Sequence, residues 1–124
     1  MAAASSTRQG KTALIGEVKG RDVIVVDDEV DTGNSTAQAV DVVRNSGARE
    51  IYLAFIHPIF SKNCVERLAD LPVKHMVTTD TVPIPSEKMK LLDGRITVLS
   101  IAPMLGEVIR RAHEGRSVGE MFNE

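Results

Sequence analysis

Asp27 and Asp28 stand at the end of an apolar run, Val23-Ile24-Val25-Val26, and the small-residue loop Asp31-Thr32-Gly33-Asn34-Ser35-Thr36 follows after Glu29 and Val30. The two carboxylates can accept hydrogen bonds from sugar hydroxyls or sit near a bound cation. The loop, running into a helix, can offer backbone N–H groups, hydroxyls and a positive helix end to a phosphate. Gly33 permits backbone conformations closed to other residues and lets a ligand approach closely, while Thr32, Ser35 and Thr36 add hydroxyl donors. Taken alone, the loop also has a structural reading in which Asp31 or Ser35 caps the helix and Gly33 makes the turn. The acidic pair just before it tips the balance toward a pocket for a sugar phosphate. Asp27 and Asp28 would repel each other if both were buried and ionised, so a strand end facing solvent or ligand suits them.

The remaining chemistry-bearing residues point less sharply. Glu29 reads as a solvated loop side chain. His57, before Pro58 at a strand end, is either a hydrogen-bonded loop histidine or a functional one, and His75 and His113 read as surface residues. No set of His, Cys and carboxylates has zinc-like spacing. Arg110, Arg111 and Arg116 read as a solvated helix face with its C-terminal cations, or as a surface that meets an anion at a subunit contact.

Positioning the loop requires strands and helices in alternation. The β-branched run over 22–26 predicts a strand covered on both faces. A helix is expected over 36–46, with Ala39, Val42 and Val43 on one face and Gly47 as its stop. Residues 50–56 predict the next strand. Ser61 caps a helix to about Asp70 that turns Cys64, Val65 and Leu68 inward. A strand over 73–78, a loop marked by Pro83 and Pro85, and a strand over 95–100 follow. Leu105, Val108, Ile109 and Ala112 recur at helical spacing, Gly115 ends that helix, and 117–122 forms a last short turn. This order predicts an α/β fold, a parallel sheet flanked by helices, in which ligands gather at the carboxyl ends of the strands. Residues 1–12 are expected to be a flexible leader, and 13–124 one domain.

Composition sets the outer bounds. The 124 residues are 43% apolar and 26% charged, with a net charge of −2 and no long basic run, which argues against nucleic acid as partner. No apolar run is long enough to cross a bilayer, and the start lacks a signal peptide's charged and apolar segments. A single cysteine cannot form an internal disulfide, so a reducing cytoplasm is expected, with Cys64 packing as a small apolar residue.

Asp27-Asp28-Glu29-Val30-Asp31-Thr32-Gly33-Asn34-Ser35 resembles the Asp-Asp-x-x-Asp-Thr-x-Gly-Thr loop of the ribose-phosphate pyrophosphokinases (PRPP synthases), which share the type I phosphoribosyltransferase fold. Further segments resemble that family in order. They are Gly16 to Asp22, His57-Pro58-Ile59-Phe60-Ser61, Val77 to Pro85, Leu99 to Glu107, and Glu114 to Phe122. The resemblance covers nearly everything after residue 13 and is to the family's C-terminal domain. It implies that Asp31, Thr32, Gly33, Asn34 and Ser35, with Thr36 beside them, hold the 5-phosphate of ribose 5-phosphate or PRPP. Asp27 and Asp28 would hold the ribose hydroxyls. It also implies magnesium on the phosphates, with no metal ligand identified in this chain, and a homo-oligomer or a missing N-terminal half as partner.

Three departures qualify the resemblance. Asn34 stands where the family usually has Gly, so either the backbone there is left-handed or the turn shifts. Gly119 replaces a serine of the family's Ser-Val-Ser, which weakens the case for a phosphate-regulated site. The family enzymes are more than twice as long, and their catalytic Lys and Arg loop should fall just before Gly10, where only Arg8 remains. No catalytic residue is therefore assigned, and pyrophosphate transfer from ATP is expected only with the missing N-terminal half supplied. Two other readings stay open. Val25-Val26-Asp27-Asp28-Glu29 resembles the acidic start of phosphoacceptor receiver domains, although Asp80 is a poor phosphoacceptor and no late-strand Lys is present. The third reading is a non-catalytic assembly or binding module.

Overall fold

The structure, a computed structural model, describes residues 3–6, 12–92 and 94–122. Strand β1 (Ala3–Ser6) lies within the stretch expected to be a flexible leader and pairs antiparallel with β2 (Thr12–Ile15). Backbone pairing of this kind needs no apolar pattern, so the sequence carries no signal for it. The other leader residues, 1–2 and 7–11, lie outside the described residues.

The main unit follows as β3 (Val23–Val30), α1 (Asn34–Asn45), β4 (Ile51–Pro58), α2 (Cys64–Asp70), β5 (His75–Thr79), α3 (Ser86–Leu91), β6 (Ile96–Leu99) and α4 (Ala102–His113). A short 3-10 turn, Gly119–Phe122, closes the described chain. The four strands β3 to β6 form one sheet in chain order, with every neighbouring pair parallel. Val25 pairs with Leu53, Leu53 with Met76, and Met76 with Ile96. The α/β parallel sheet expected from the alternation is present.

The order of strands decides where the core lies. A sheet that advances one strand at a time through right-handed crossovers lays each crossover helix on the same face. The core accordingly forms on one side, from Ile51, Leu53 and Phe55 of β4, Met76 of β5, Val40 and Val43 of α1, and Cys64, Val65 and Leu68 of α2. The opposite face is open along β3, where Ile24 is 64% and Val26 75% exposed. The expectation that this strand is covered on both faces is thus corrected. A run of β-branched residues specifies a strand, but not whether its outer face finds a cover.

Helix α1 begins two residues earlier than expected, and its inward face is Thr36, Val40 and Val43 rather than Ala39, Val42 and Val43. Gly47 ends the chain's turn away from α1 at φ 89°. Cys64, Val65 and Leu68 face inward as expected. Helix α3 lies where only a loop was marked. Six residues behind Pro83 and Pro85 are too few for a periodicity to register. Helix α4 has the expected extent, yet Leu105 and Ile109 are exposed and the helix buries no residue fully.

Candidate functional site

Strand β3 ends at Val30, and the chain turns through Asp31, Thr32 and Gly33 before α1 starts at Asn34. Gly33 provides the turn. Its φ is 76°, in the left-handed region that favours glycine, and Asn34 is already helical. The departure at Asn34 is therefore accommodated without a left-handed asparagine. The first bond of the helix runs from the Ala37 amide to the Gly33 carbonyl at 2.9 Å. No side chain caps the helix start, and its first turn carries no acidic residue. The amides of Asn34, Ser35 and Thr36 are thus left without intrahelical acceptors, as at any helix start. The capping role that the structural reading gave Asp31 or Ser35 is not what the structure builds.

Beside this turn lies a shallow depression of about 240 Å³ lined by Asp27, Asp28, Glu29, Asp31, Thr32, Gly33 and Ser35. Six of the eight residues singled out in the sequence therefore line one concavity. Glu29, assigned to solvent, joins them. Asn34 and Thr36 do not. Thr36 is 2% exposed, on the inward face of α1, and its hydroxyl has no hydrogen-bond partner.

The acidic end of β3 carries an electrostatic cost. Asp27 is held above the usual carboxylate range, first by burial, then by its hydrogen bond with Asp28, and further by the charges of Asp28 and Glu29. The Asp28 amide, donating to Asp27 Oδ1 at 3.0 Å, acts in the opposite direction. A raised carboxyl means that its ionised form opposes folding. That opposition is absent at acidic pH, where both states are protonated, and develops as pH rises through the raised range. Asp27→Asn should therefore raise the melting temperature at neutral pH and leave it unchanged in acid. Thermal unfolding across pH checks this; a gain of equal size at every pH would point to a cause other than charge. Carboxylates kept together at such a cost are a mark of functional sites.

Support for the turn comes from the β4–α2 segment. The Phe60 amide donates to the Val30 carbonyl at 3.1 Å and the Ser61 amide to the Asp31 carbonyl at 3.0 Å. The Arg67 guanidinium donates to the Thr32 carbonyl. Phe60 and Lys62 both hold left-handed backbones, at φ 51°. The Lys88 ammonium donates to the Phe60 carbonyl at 2.6 Å. Sequence reasoning gave Lys62, Arg67 and Lys88 no role and did not connect Phe60 or Ser61 to this turn. The contacts span gaps of 28 and 35 positions and follow no local pattern.

Cys64 lies directly beneath Gly33. Burial pushes its thiol up to about 11, against the pull of Arg67, so the packing role expected for it holds and thiolate chemistry is disfavoured. His57 takes the hydrogen-bonded reading. The Thr81 hydroxyl donates to the Ile56 carbonyl at 3.1 Å and so accepts from His57 Nδ1, 2.8 Å away. Asp80 binds the segment that leads into α4, with its carboxyl held below the usual range by the Ser100 hydroxyl and by the Ile101 amide, which donates to it at 2.9 Å. An aspartate engaged in this way does not supply the free phosphoacceptor of a receiver domain. Arg110, Arg111 and Arg116 pair with Glu107, Glu114 and Glu120 along and beyond α4.

Among the described residues, no group of three His, Cys, Asp or Glu side chains could hold a metal ion. Asp27 and Asp28 each turn a carboxylate oxygen back to the next residue's amide. Also among the described residues, no helix is long and apolar enough to cross a membrane.

A family profile described as the phosphoribosyl synthetase-associated domain matches residues 1–123. The ribose-phosphate pyrophosphokinase of Caldanaerobacter subterraneus subsp. tengcongensis is 44% identical over 109 residues, which span 88% of this chain and 34% of that protein. The ribose-phosphate pyrophosphokinase of Deinococcus radiodurans is 36% identical over 118 residues, spanning 95% of this chain and 37% of that one. The crystal structure of the phosphoribosylpyrophosphate synthetase of Mycobacterium smegmatis superposes with a TM-score of 0.81 at 36% identity, over 92% of this chain and 37% of that one. The chain thus spans little more than a third of the length of these relatives. A profile match over almost every residue, on a phosphoribosyltransferase-like sheet shared with a synthetase of solved structure, places this chain in the phosphoribosyl synthetase-associated domain family.

Proposed function

We propose that this chain is a ribose 5-phosphate or PRPP half-site. The 5-phosphate rests on the turn from Asp31 to Ser35, and the ribose hydroxyls meet Asp27 and Asp28. One observation carries the reading. Left-handed Gly33 opens an uncapped twelve-residue helix beside a strand end that holds two adjacent carboxylates. The helix end attracts the dianion, and the carboxylates, placed several residues away along the chain, accept from hydroxyls rather than face the phosphate. Asn34 and Thr36 contribute through the amides of the first helical turn rather than through side chains that line the depression.

Pyrophosphate transfer from ATP belongs to this proposal only where the N-terminal half that the relatives carry is supplied. The depression is lined by four carboxylates and by no lysine or arginine, whereas phosphoryl-type transfer needs cations on the phosphates. Magnesium enters as an ion arriving with those phosphates. It is commonly held by one or two carboxylates together with substrate oxygens. An assembly, with further copies or with a chain supplying what the relatives carry in their remaining length, is favoured by the exposed Ile24 and Val26 of β3 and Leu105 and Ile109 of α4. A cytoplasmic setting is proposed with it, on the single buried cysteine.

The test is a titration of isotope-labelled protein with ribose 5-phosphate, followed through its backbone amides. Saturable shifts confined to 27–36 are expected, and their weakening in Asp28→Ala, which removes an acceptor for the ribose hydroxyls. Unmoved amides at millimolar ligand would remove the half-site reading and leave an assembly role. Sedimentation of the same sample over a concentration series reads the assembly directly, and a monomer at every concentration would count against self-association.

A further inference from the structure

We propose that Arg67 is the positioning residue of the phosphate turn. This rests on the half-site reading above. Three successive carbonyls, those of Val30, Asp31 and Thr32, are each held from behind by the β4–α2 segment. The first two bonds come from backbone amides, which almost any sequence would supply. The third comes from a side chain, the Arg67 guanidinium.

Peptide geometry turns that bond into a statement about the site. Across a planar trans peptide the carbonyl oxygen and the following N–H point in opposite directions. Arg67, on α2, fixes the Thr32 carbonyl toward α2 and thereby turns the Gly33 N–H the other way. Gly33 lines the depression and Arg67 does not. The amide is thus presented to the side where the phosphate would rest, without any contact between Arg67 and ligand. The arginine stem adds a second constraint. Its Cδ lies 3.7 Å from where a Cβ on Gly33 would sit, so it packs under the turn.

Charge gives a further reason for an arginine here. The carboxylates of Asp27, Asp28, Glu29 and Asp31 line the same depression, and the proposed ligand brings a phosphate dianion into it. A guanidinium bonded to the turn from behind offsets part of that field and has further N–H groups to share. Lysine would keep the charge without the planar fork, and methionine would keep the stem without the charge.

The experiment compares wild type, Arg67→Ala, Arg67→Lys and Arg67→Met in ribose 5-phosphate titrations, with amide spectra and thermal unfolding read on the same samples. Arg67→Ala and Arg67→Met should bind at least about tenfold more weakly, the scale of one charge-assisted hydrogen bond. Arg67→Lys should recover part of the loss. Low-millimolar guanidinium ion should restore binding to Arg67→Ala, an effect that simple loosening of the fold would not produce. The ligand-free Gly33 amide should shift in Arg67→Ala and Arg67→Met. If Arg67→Ala fails to fold, Arg67→Met and Arg67→Lys decide the matter. Wild-type affinity in Arg67→Met, with wild type binding normally, would overturn the role of Arg67 and leave the half-site standing. Absence of binding by wild type would overturn the half-site, and the positioning role with it.

Discussion

Gly33→Ala is expected to abolish saturable ribose 5-phosphate binding and to destabilise the fold by about 2 kcal/mol. Two costs add. At φ 76° an L-residue is strained, typically by roughly 1–2 kcal/mol. The new Cβ would also lie 3.1 Å from Cys64 Sγ and 3.7 Å from the Arg67 stem. Cys64 is fully buried, so its sulfur has little room to give way. Relief must come from the turn itself, which would move the carbonyls of Asp31 and Thr32 off their donors and the helix-start amides out of convergence. Gly115→Ala is the matched comparison. Its φ is 67° and nothing lies within 4 Å of the added Cβ, so it meets the conformational cost without the clash. Urea unfolding separates the two variants, and the ligand titration shows whether the turn survives. Near-wild-type affinity in Gly33→Ala would mean that the phosphate does not rest on this turn.

Phe60→Ala should be the most damaging single change to stability, about 3–5 kcal/mol, the usual range for emptying a buried phenylalanine site. Phe60 is 1% exposed, and its ring meets Phe55 at a centroid distance of 5.8 Å and an angle of 60°. Its backbone bonds both to Val30 and to Lys88, so the cavity would open between the sheet and the segment that holds the Gly33 turn. Domains of this kind have net stabilities of about 5–15 kcal/mol, so the loss would be a large fraction of the whole. Phe60→Leu, which keeps most of the volume, should cost markedly less. Denaturant midpoints for both variants, at unchanged slope, check the expectation. A Phe60→Ala midpoint close to wild type would show that the side chain does not support this core.

The two variants also mark how far sequence could reach. Gly33 was legible because its neighbours are: acidic residues at the end of an apolar run, then small residues leading into a helix, form a local pattern whose chemistry follows from residue types. The order of segments after residue 13 made the family legible, and the profile match over 1–123 bears that out. Phe60 was not legible. A left-handed phenylalanine has no local signature, and its burial depends on β4 and α2 closing around it. Helix α3 was missed because six residues cannot display a helical period, and the hairpin partner Ala3–Ser6 because pairing through backbone groups leaves no trace in side-chain type.

Residue type and spacing, by themselves, determined the alternation of strands and helices, the acidic strand end and the glycine turn, because each depends on interactions within a few residues. Only the tertiary structure decided that Thr36 turns inward, that Ile24 and Val26 lie on an open sheet face, and that Arg67 holds Thr32 across 35 positions. Those outcomes depend on crossover handedness and on which element packs behind which, and no short stretch of sequence encodes either.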